Sequence, residues 1–263
     1  MIGRWPILLL ISFECTAQTY LGPRHQAMGC TGAALQGIYS LTANPAGVTG
    51  LVQPVISVAH QHHFFASDIT TQAGLIGIPT RLGTAGFAVS HYGLQGAYQE
   101  LRMAVAYAKA FGPHFSLGLT ANRHQLTVPS YLNSSGFSVD VGVQYRIGAQ
   151  TVLGAYYANV GESAYRDVYS EVPSYLRAGA IHGLDKVVVT ADAVYHPGER
   201  LGGHFGFEYL PGEWLALRGG LSVNPLQQHA GFGVRWGGFI LDVAATFHPW
   251  LGASPQIGLC YAF

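Results

Sequence analysis

Phe137-Ser138-Val139-Asp140-Val141-Gly142-Val143-Gln144-Tyr145-Arg146 is the stretch on which the fold class turns. Phe137, Val139, Val141, Val143 and Tyr145 alternate with Ser138, Asp140, Gly142, Gln144 and Arg146. A period of two sends the two sets to opposite faces of a strand. In a soluble sandwich the apolar set would face a core; in a membrane barrel it faces lipid and the polar set faces the lumen. The pattern recurs. Phe205, Phe207 and Tyr209 alternate with His204, Gly206 and Glu208, and Phe232, Val234 and Trp236 with Gly231, Gly233 and Arg235. Leu241, Val243, Ala245 and Phe247 alternate with Asp242, Ala244, Thr246 and His248, whereas Gln150 to Asn159 is less regular.

Fourteen such segments begin near Val55, Ile69, Leu82, Gln99, His114, Gly136, Gln150, Ser174, Lys186, Gly203, Glu213, Leu226, Phe239 and Pro255. Their spacing of about 15 residues suits strands of ~10 residues plus a connection. Twelve strands is the main rival count. Short turns at Pro79-Thr80-Arg81, Gly112-Pro113, Ile147-Gly148-Ala149, Gly183-Leu184-Asp185, Pro211-Gly212 and Gly237-Gly238 alternate with mostly longer connections. Those run over Gly93 to Tyr98, Val128 to Ser135, Val160 to Pro173, Pro197 to Gly202, Asn224-Pro225 and Pro249 to Ser254. This two-phase alternation is the pattern of periplasmic turns and external loops. A sandwich has no reason for it. The reading is an all-β chain: a transmembrane antiparallel barrel of about 14 strands in the bacterial outer membrane.

Composition agrees. Charged residues make up 10% of the 263 residues and hydrophobic ones 49%. Low hydrophobicity with high net charge would mark disorder, and neither is present. The longest apolar stretch near the start, Ile7 to Ile11, is far short of the ~18 residues of a spanning helix. Gly, at 35 residues, is enriched to about twice its usual share. The formal net charge of +0 leaves no electrostatic footprint for nucleic acid.

The termini fit export. Met1 to Arg4, the apolar Trp5 to Phe13 and the small residues of Cys15-Thr16-Ala17 read as a signal peptide over residues 1–17. Phe13 and Glu14, standing just before Cys15, argue against lipidation. Removal of the leader leaves Cys30 and Cys260, too few for a disulfide framework, although one bridge between them is compatible with an oxidising envelope. The chain ends on Gln256-Ile257-Gly258-Leu259-Cys260-Tyr261-Ala262-Phe263. Gly258, Tyr261 and the final Phe263 resemble the C-terminal signal read by the outer-membrane barrel assembly machinery. Physically this is a last strand with aromatics at the interface girdle.

Residues 18–52 are not barrel-like. Gly29-Cys30-Thr31-Gly32-Ala33-Ala34 is small enough for close backbone packing, and Asn44-Pro45-Ala46-Gly47 reads as a turn. A Gly/Ala run followed by Asn-Pro-Ala-Gly before the first strand resembles the PorV/PorQ branch of the FadL-like outer-membrane proteins. So do Val172-Pro173-Ser174-Tyr175-Leu176-Arg177-Ala178-Gly179 followed by Asp192, and Gly206-Phe207-Glu208-Tyr209 followed by Leu217-Arg218-Gly219-Gly220. The resemblance implies a fourteen-stranded barrel over residues 53–263, with residues 18–52 folded into the lumen as a hatch. It also implies a scaffold or adaptor role in an envelope complex, with type IX secretion machinery, its cargo or other outer-membrane proteins as partners.

Chemistry is sparse. GxSxG, GxGxxG, P-loop and HExxH motifs are missing from the sequence, so catalytic residues, cofactor and metal are all expected to be none. His60-Gln61-His62-His63 puts His60 and His62 on one face and His63 on the other, and reads as a polar strand end near the headgroups. Arg102, Asp140, Arg177, Asp192, Glu208, Arg218, Arg235 and Asp242 all take the phase opposite the aromatics. Charges inside a barrel should be paired or solvated, and a selective pore would more naturally carry one sign. Both signs favour a cross-linked interior that holds the hatch. Three readings follow: a non-enzymatic scaffold, preferred; a FadL-like passive transporter of small hydrophobic molecules; and a lipid-modifying barrel enzyme.

Overall fold

In the computed structural model, which describes residues 20–66, 68–94, 96–166 and 172–263, fourteen antiparallel strands close into one barrel. They are β1 (Val55–His62), β2 (Ile69–Pro79), β3 (Thr84–Leu94), β4 (Tyr98–Phe111), β5 (Phe115–Val128), β6 (Leu132–Ile147) and β7 (Thr151–Ala158). The second half is β8 (Tyr175–Leu184), β9 (Val187–Tyr195), β10 (Gly202–Gly212), β11 (Leu215–Val223), β12 (Gln227–Trp236), β13 (Phe239–His248) and β14 (Gly252–Ala262). Each strand pairs with its sequence neighbours, and β14 closes on β1 with Val55 opposite Ala262. Closure removes the free edges that an open sheet would expose. The count is fourteen rather than the rival twelve. The signal-peptide segment lies outside the described residues.

The alternation sorts as the period-two reading requires. In β6, Phe137, Val139 and Tyr145 are exposed on the outer wall while Ser138, Asp140 and Gln144 are buried inward. Phe205, Phe207, Tyr209, Phe232, Trp236 and Phe247 are likewise exposed outward. No helix among the described residues is long and apolar enough to cross a membrane, and the apolar belt is carried by strands alone. The connections on one end span 80–83, 112–114, 148–150, 185–186, 213–214 and 237–238. On the other end they span 63–68, 95–97, 129–131, 159–174, 196–201, 224–226 and 249–251.

That asymmetry is smaller than the sequence suggested. Val128 to Ser135 was expected as a loop, but β5 and β6 run on to Val128 and from Leu132, pairing Val128 with Leu132. Thr127 and Asn133 also pair there, because polar residues cost nothing in a ladder that extends past the hydrocarbon. The connection at 159–174 is the one that is long.

Residues 20–51 lie inside the barrel. A short helix α1 (Pro23–Ala27) packs against β11 to β14, and two 3-10 turns, Ile38–Thr42 and Pro45–Gly50, lie against β1 to β6. Ala27, Met28, Ala33, Ala34, Leu35 and Val48 are all fully buried. The wall yields to this segment by glycine. A methyl group at Gly154 would collide with the Ala33 carbonyl, and one at Gly142 with the Asn44 side chain. Close backbone approach of this kind requires residues without Cβ.

Candidate functional site: the lumen and its hatch

The segment 20–51 carries a single charged residue, Arg24. Presented by α1, its Nη2 donates to Glu208 Oε1 at 2.8 Å and its Nε to Glu208 Oε2 at 3.1 Å. Glu208 on β10 is shared: Arg218 Nε on β11 donates to Oε2 at 2.6 Å. Arg218 Nη1 in turn donates to Asp242 Oδ1 on β13 at 2.6 Å. In the row Arg24–Glu208–Arg218–Asp242 the last three are buried, with the Arg218 side chain 1% exposed, while Arg24 is half-buried. Charges removed from water in this way are tolerated only with complete partnering.

Two further pairs stand apart from this row. Arg177 on β8 meets Asp192 on β9 at 3.4 Å, and also donates to the Cys30 carbonyl. Asp192 Oδ2 accepts the backbone N–H groups of Gly32 and Ala33 at 2.7 and 3.0 Å. A carboxylate that takes two adjacent amides fixes that stretch of backbone with charge-assisted bonds. Arg102 on β4 meets Asp140 on β6 at 3.1 Å, while Asn122 and Tyr156 donate to the same carboxylate oxygen.

Seven of the eight expected lumen charges therefore come together in ion pairs. Arg235 is the exception. It keeps the inward phase of β12 but sits at the turn end of the strand and is exposed. Period two assigns a face, not a depth, and at the rim the inward face is wet. Its place in the charge balance is taken by Arg24, which the alternation test missed because that test applies only to strands. The signal was available in its being the sole charge of a segment otherwise built of small and apolar residues.

Polar residues complete the cross-linking. The Asn44 amide reaches the carbonyls of Ala33, Val143 and Ala155 at 2.6, 3.0 and 3.2 Å, while its Oδ1 accepts the Ala46 N–H at 3.0 Å. Asn44 is thus the N-cap of the second 3-10 turn, which Pro45-Ala46-Gly47 begins, and all four residues are buried. Gln144 donates to the Ala33 and Leu35 carbonyls, and Gln256 to that of Leu21. The two cysteines do not meet. Cys30 faces His229, whose Nδ1 lies 3.9 Å from its sulfur, while Cys260 contacts Tyr39 and Ser57; both are free thiols. The expectation left open for a bridge is corrected: Cys30 belongs to the hatch on the β12 side and Cys260 to β14.

At the C-terminus, Gly258 faces Pro23 and Tyr39 of the inner segment. Tyr261 projects outward against Phe239, with ring centroids 4.7 Å apart, and the exposed Phe263 stacks edge-on against Tyr261.

Space remains above the hatch on the loop end. A vestibule of about 270 Å³ is lined by Cys30, Phe64, Tyr175, Arg177, His196 and His204 among others. A smaller cavity of about 70 Å³ lies between Arg102, His124, Asp140, Tyr156 and Tyr165. Tyr165 and Val172 of the long connection fold inward over it against Leu126. In the connection after β1, His63 turns inward and binds Thr71 at 2.8 Å. Burial, aided by neighbouring His62, pushes its imidazole down to about 4. Among the described residues no group of three or more His, Cys, Asp or Glu side chains is arranged to hold a metal ion.

A closed fourteen-stranded barrel with an outward aromatic belt and an inner segment in its lumen is an outer-membrane β-barrel protein of the bacterial envelope. No protein-family model and no curated protein matches this chain. Solved structures do, among them FadL-type channels. The CymD monoaromatic hydrocarbon channel superposes with a TM-score of 0.74 at 14% identity, covering 92% of this chain and 97% of its own. The toluene transporter TodX of Pseudomonas putida gives 0.71 at 14% identity, covering 93% and 98%. A FadL homologue of Pseudomonas aeruginosa gives 0.67 at 10% identity, covering 92% and 98%. The chain thus has the FadL-type fold over nearly its whole length.

Proposed function

We propose that the protein is a non-enzymatic passive transporter that admits small hydrophobic molecules through the outer membrane. The observation that carries this reading is the pairing of a FadL-type barrel with a vestibule of about 270 Å³ resting on the hatch. An engineered apolar cavity of about 150 Å³ holds one benzene, so the space suits a molecule with a single ring. Phe64, Tyr175, Val194 and Pro173 offer it apolar surface. The hatch below, held by Arg24, Asn44 and Asp192, would keep ions out while a solute works past it.

The test is uptake of radiolabelled toluene by cells whose outer membrane limits entry, with planar-bilayer conductance of the purified protein in parallel. Expression should raise uptake several-fold while the intact protein shows little steady conductance. Uptake equal to that of cells without the protein would refute the transporter. An adaptor of the PorV/PorQ kind, serving type IX secretion or another envelope complex, is the second reading. It is favoured by the Arg24–Glu208 ion pair and the hydrogen bonds at Asp192, Asn44 and Gln144 that tie the hatch to the wall, which suits a plug that stays in place. Co-purification of a stoichiometric envelope protein in mild detergent, with no uptake, would establish it instead.

A further inference from the structure

The outer wall turns polar toward the loop end of β1 to β3, as it does on β5, where Arg123 stands outward opposite Met103. One row there, Val58, Gly74, Val89 and Met103, is still apolar or small. The next row toward the loops holds His60 opposite Gln72 and Gln72 opposite His91. His62 stands two residues beyond His60 on the same face, so the change of rows marks the edge of the hydrocarbon. Polar side chains at lipid-facing positions belong at the headgroup level, where water reaches them.

Within this patch His60 and His62 converge. Their Nε2 atoms are 3.0 Å apart, with the rings at 78° and their centroids 4.6 Å apart. Two imidazole nitrogens bound to one ion at about 2.0–2.1 Å lie about 3 Å apart when they occupy neighbouring positions near a right angle. Strand positions i and i+2 share a face, so the backbone holds both rings on one side without strain. Imidazole is the ligand suited to zinc, copper and nickel rather than magnesium or calcium.

We propose that His60 and His62 form a two-imidazole site for a divalent first-row transition-metal ion on the outer wall, with the Gln72 amide oxygen and water completing the shell. Without an ion, one Nε2–H donates to the other Nε2. Binding requires the donor ring to carry its proton on Nδ1 instead, a change of tautomer through solvent with no net proton release. His63, the third histidine of the run, takes no part, since it is turned inward onto Thr71. The site is independent of the transport reading, and its test does not involve uptake.

The full chain, folded in detergent at a pH above 7, should bind one copper(II) ion, and its paramagnetic resonance spectrum should show two coordinated imidazole nitrogens. Zinc(II) should compete for the same site. His60→Asn and His62→Asn should each weaken binding about tenfold or more, because each removes one of two strong ligands. His182→Asn should leave binding unchanged, since His182 is bound to Thr151 at the turn end of the wall. Heat-modifiable gel migration checks that each variant is folded. A wild-type spectrum with one or no coordinated imidazole overturns the proposal, as does tight one-to-one binding that survives in the folded double variant. The wild-type spectrum decides the matter even where a variant fails to fold.

Discussion

Arg218→Met breaks the hatch-to-wall row at its centre. The methionine keeps most of the length of the side chain and loses the guanidinium. Two bonds of 2.6 Å disappear, one to Glu208 and one to Asp242. Glu208 keeps Arg24 as a partner, but Asp242, 2% exposed, is left with no cation in contact. Hydrogen bonds to charged groups contribute about 1.5–3 kcal/mol each, and breaking one partner out of a buried ion pair costs about 3–5 kcal/mol. The second figure governs here, because the stranded carboxylate cannot be rehydrated without opening the lumen. Urea unfolding in detergent micelles, followed by tryptophan fluorescence, should show a loss of about 3–5 kcal/mol. Adding Asp242→Leu should restore part of it, since removing both partners takes the uncompensated charge away. A loss under about 1 kcal/mol, or a double variant less stable than the single one, would refute the claim that these charges are dry and mutually dependent.

Three other outcomes follow from particular contacts. Gly154→Val should push the hatch off the wall, because a side chain there collides with the Ala33 carbonyl. Bilayer recordings should then show more ion conductance than the intact protein, for which little is expected, and an unchanged barrier would count against tight seating. His63 is neutral in the folded protein, with its imidazole held at about 4 against an ordinary value of ~6.5. The unfolded chain therefore binds the extra proton first, so this contribution to stability is complete above pH ~6.5 and is lost as pH falls through about 4. Unfolding curves between pH 7 and 4 should weaken less steeply in His63→Gln. Deleting Tyr261 to Phe263 removes the outward aromatic cluster with Phe239 and the closing bond from the Phe263 N–H to the Pro54 carbonyl. Membrane fractionation should then find the chain in the periplasm or degraded, and normal outer-membrane levels would contradict its role as the assembly signal.

Much of the fold was legible because it is periodic and local. Phe137 to Arg146 shows its two faces in ten residues, and the same alternation repeated along the chain yields fourteen strands, an outward aromatic belt and an inward set of charges. Turn chemistry fixed most strand starts to within a few residues. It failed at Leu132 and Gly252, where the ladder continues through polar or glycine-rich residues that read as loop. The candidate site was half legible. Asp140, Asp192, Glu208, Arg218 and Asp242 could be placed in the lumen by phase alone, and the resemblance carried by Asn44-Pro45-Ala46-Gly47 implied a hatch.

The pairing inside the lumen was decided only by tertiary structure. Arg24 and Glu208 are 184 residues apart, and no periodicity links a short helix to the strand opposite it. Arg235 shows the other side of this limit, since its phase is inward but its height on the wall comes from where β12 ends. Cys30 and Cys260 were two thiols in one small domain, and the closed barrel places them on different neighbours. A strand's alternation determines which face meets lipid, because Cβ direction is set residue by residue. Which side chains meet across the interior depends on closure, register and the path of the hatch, which are properties of the whole chain at once.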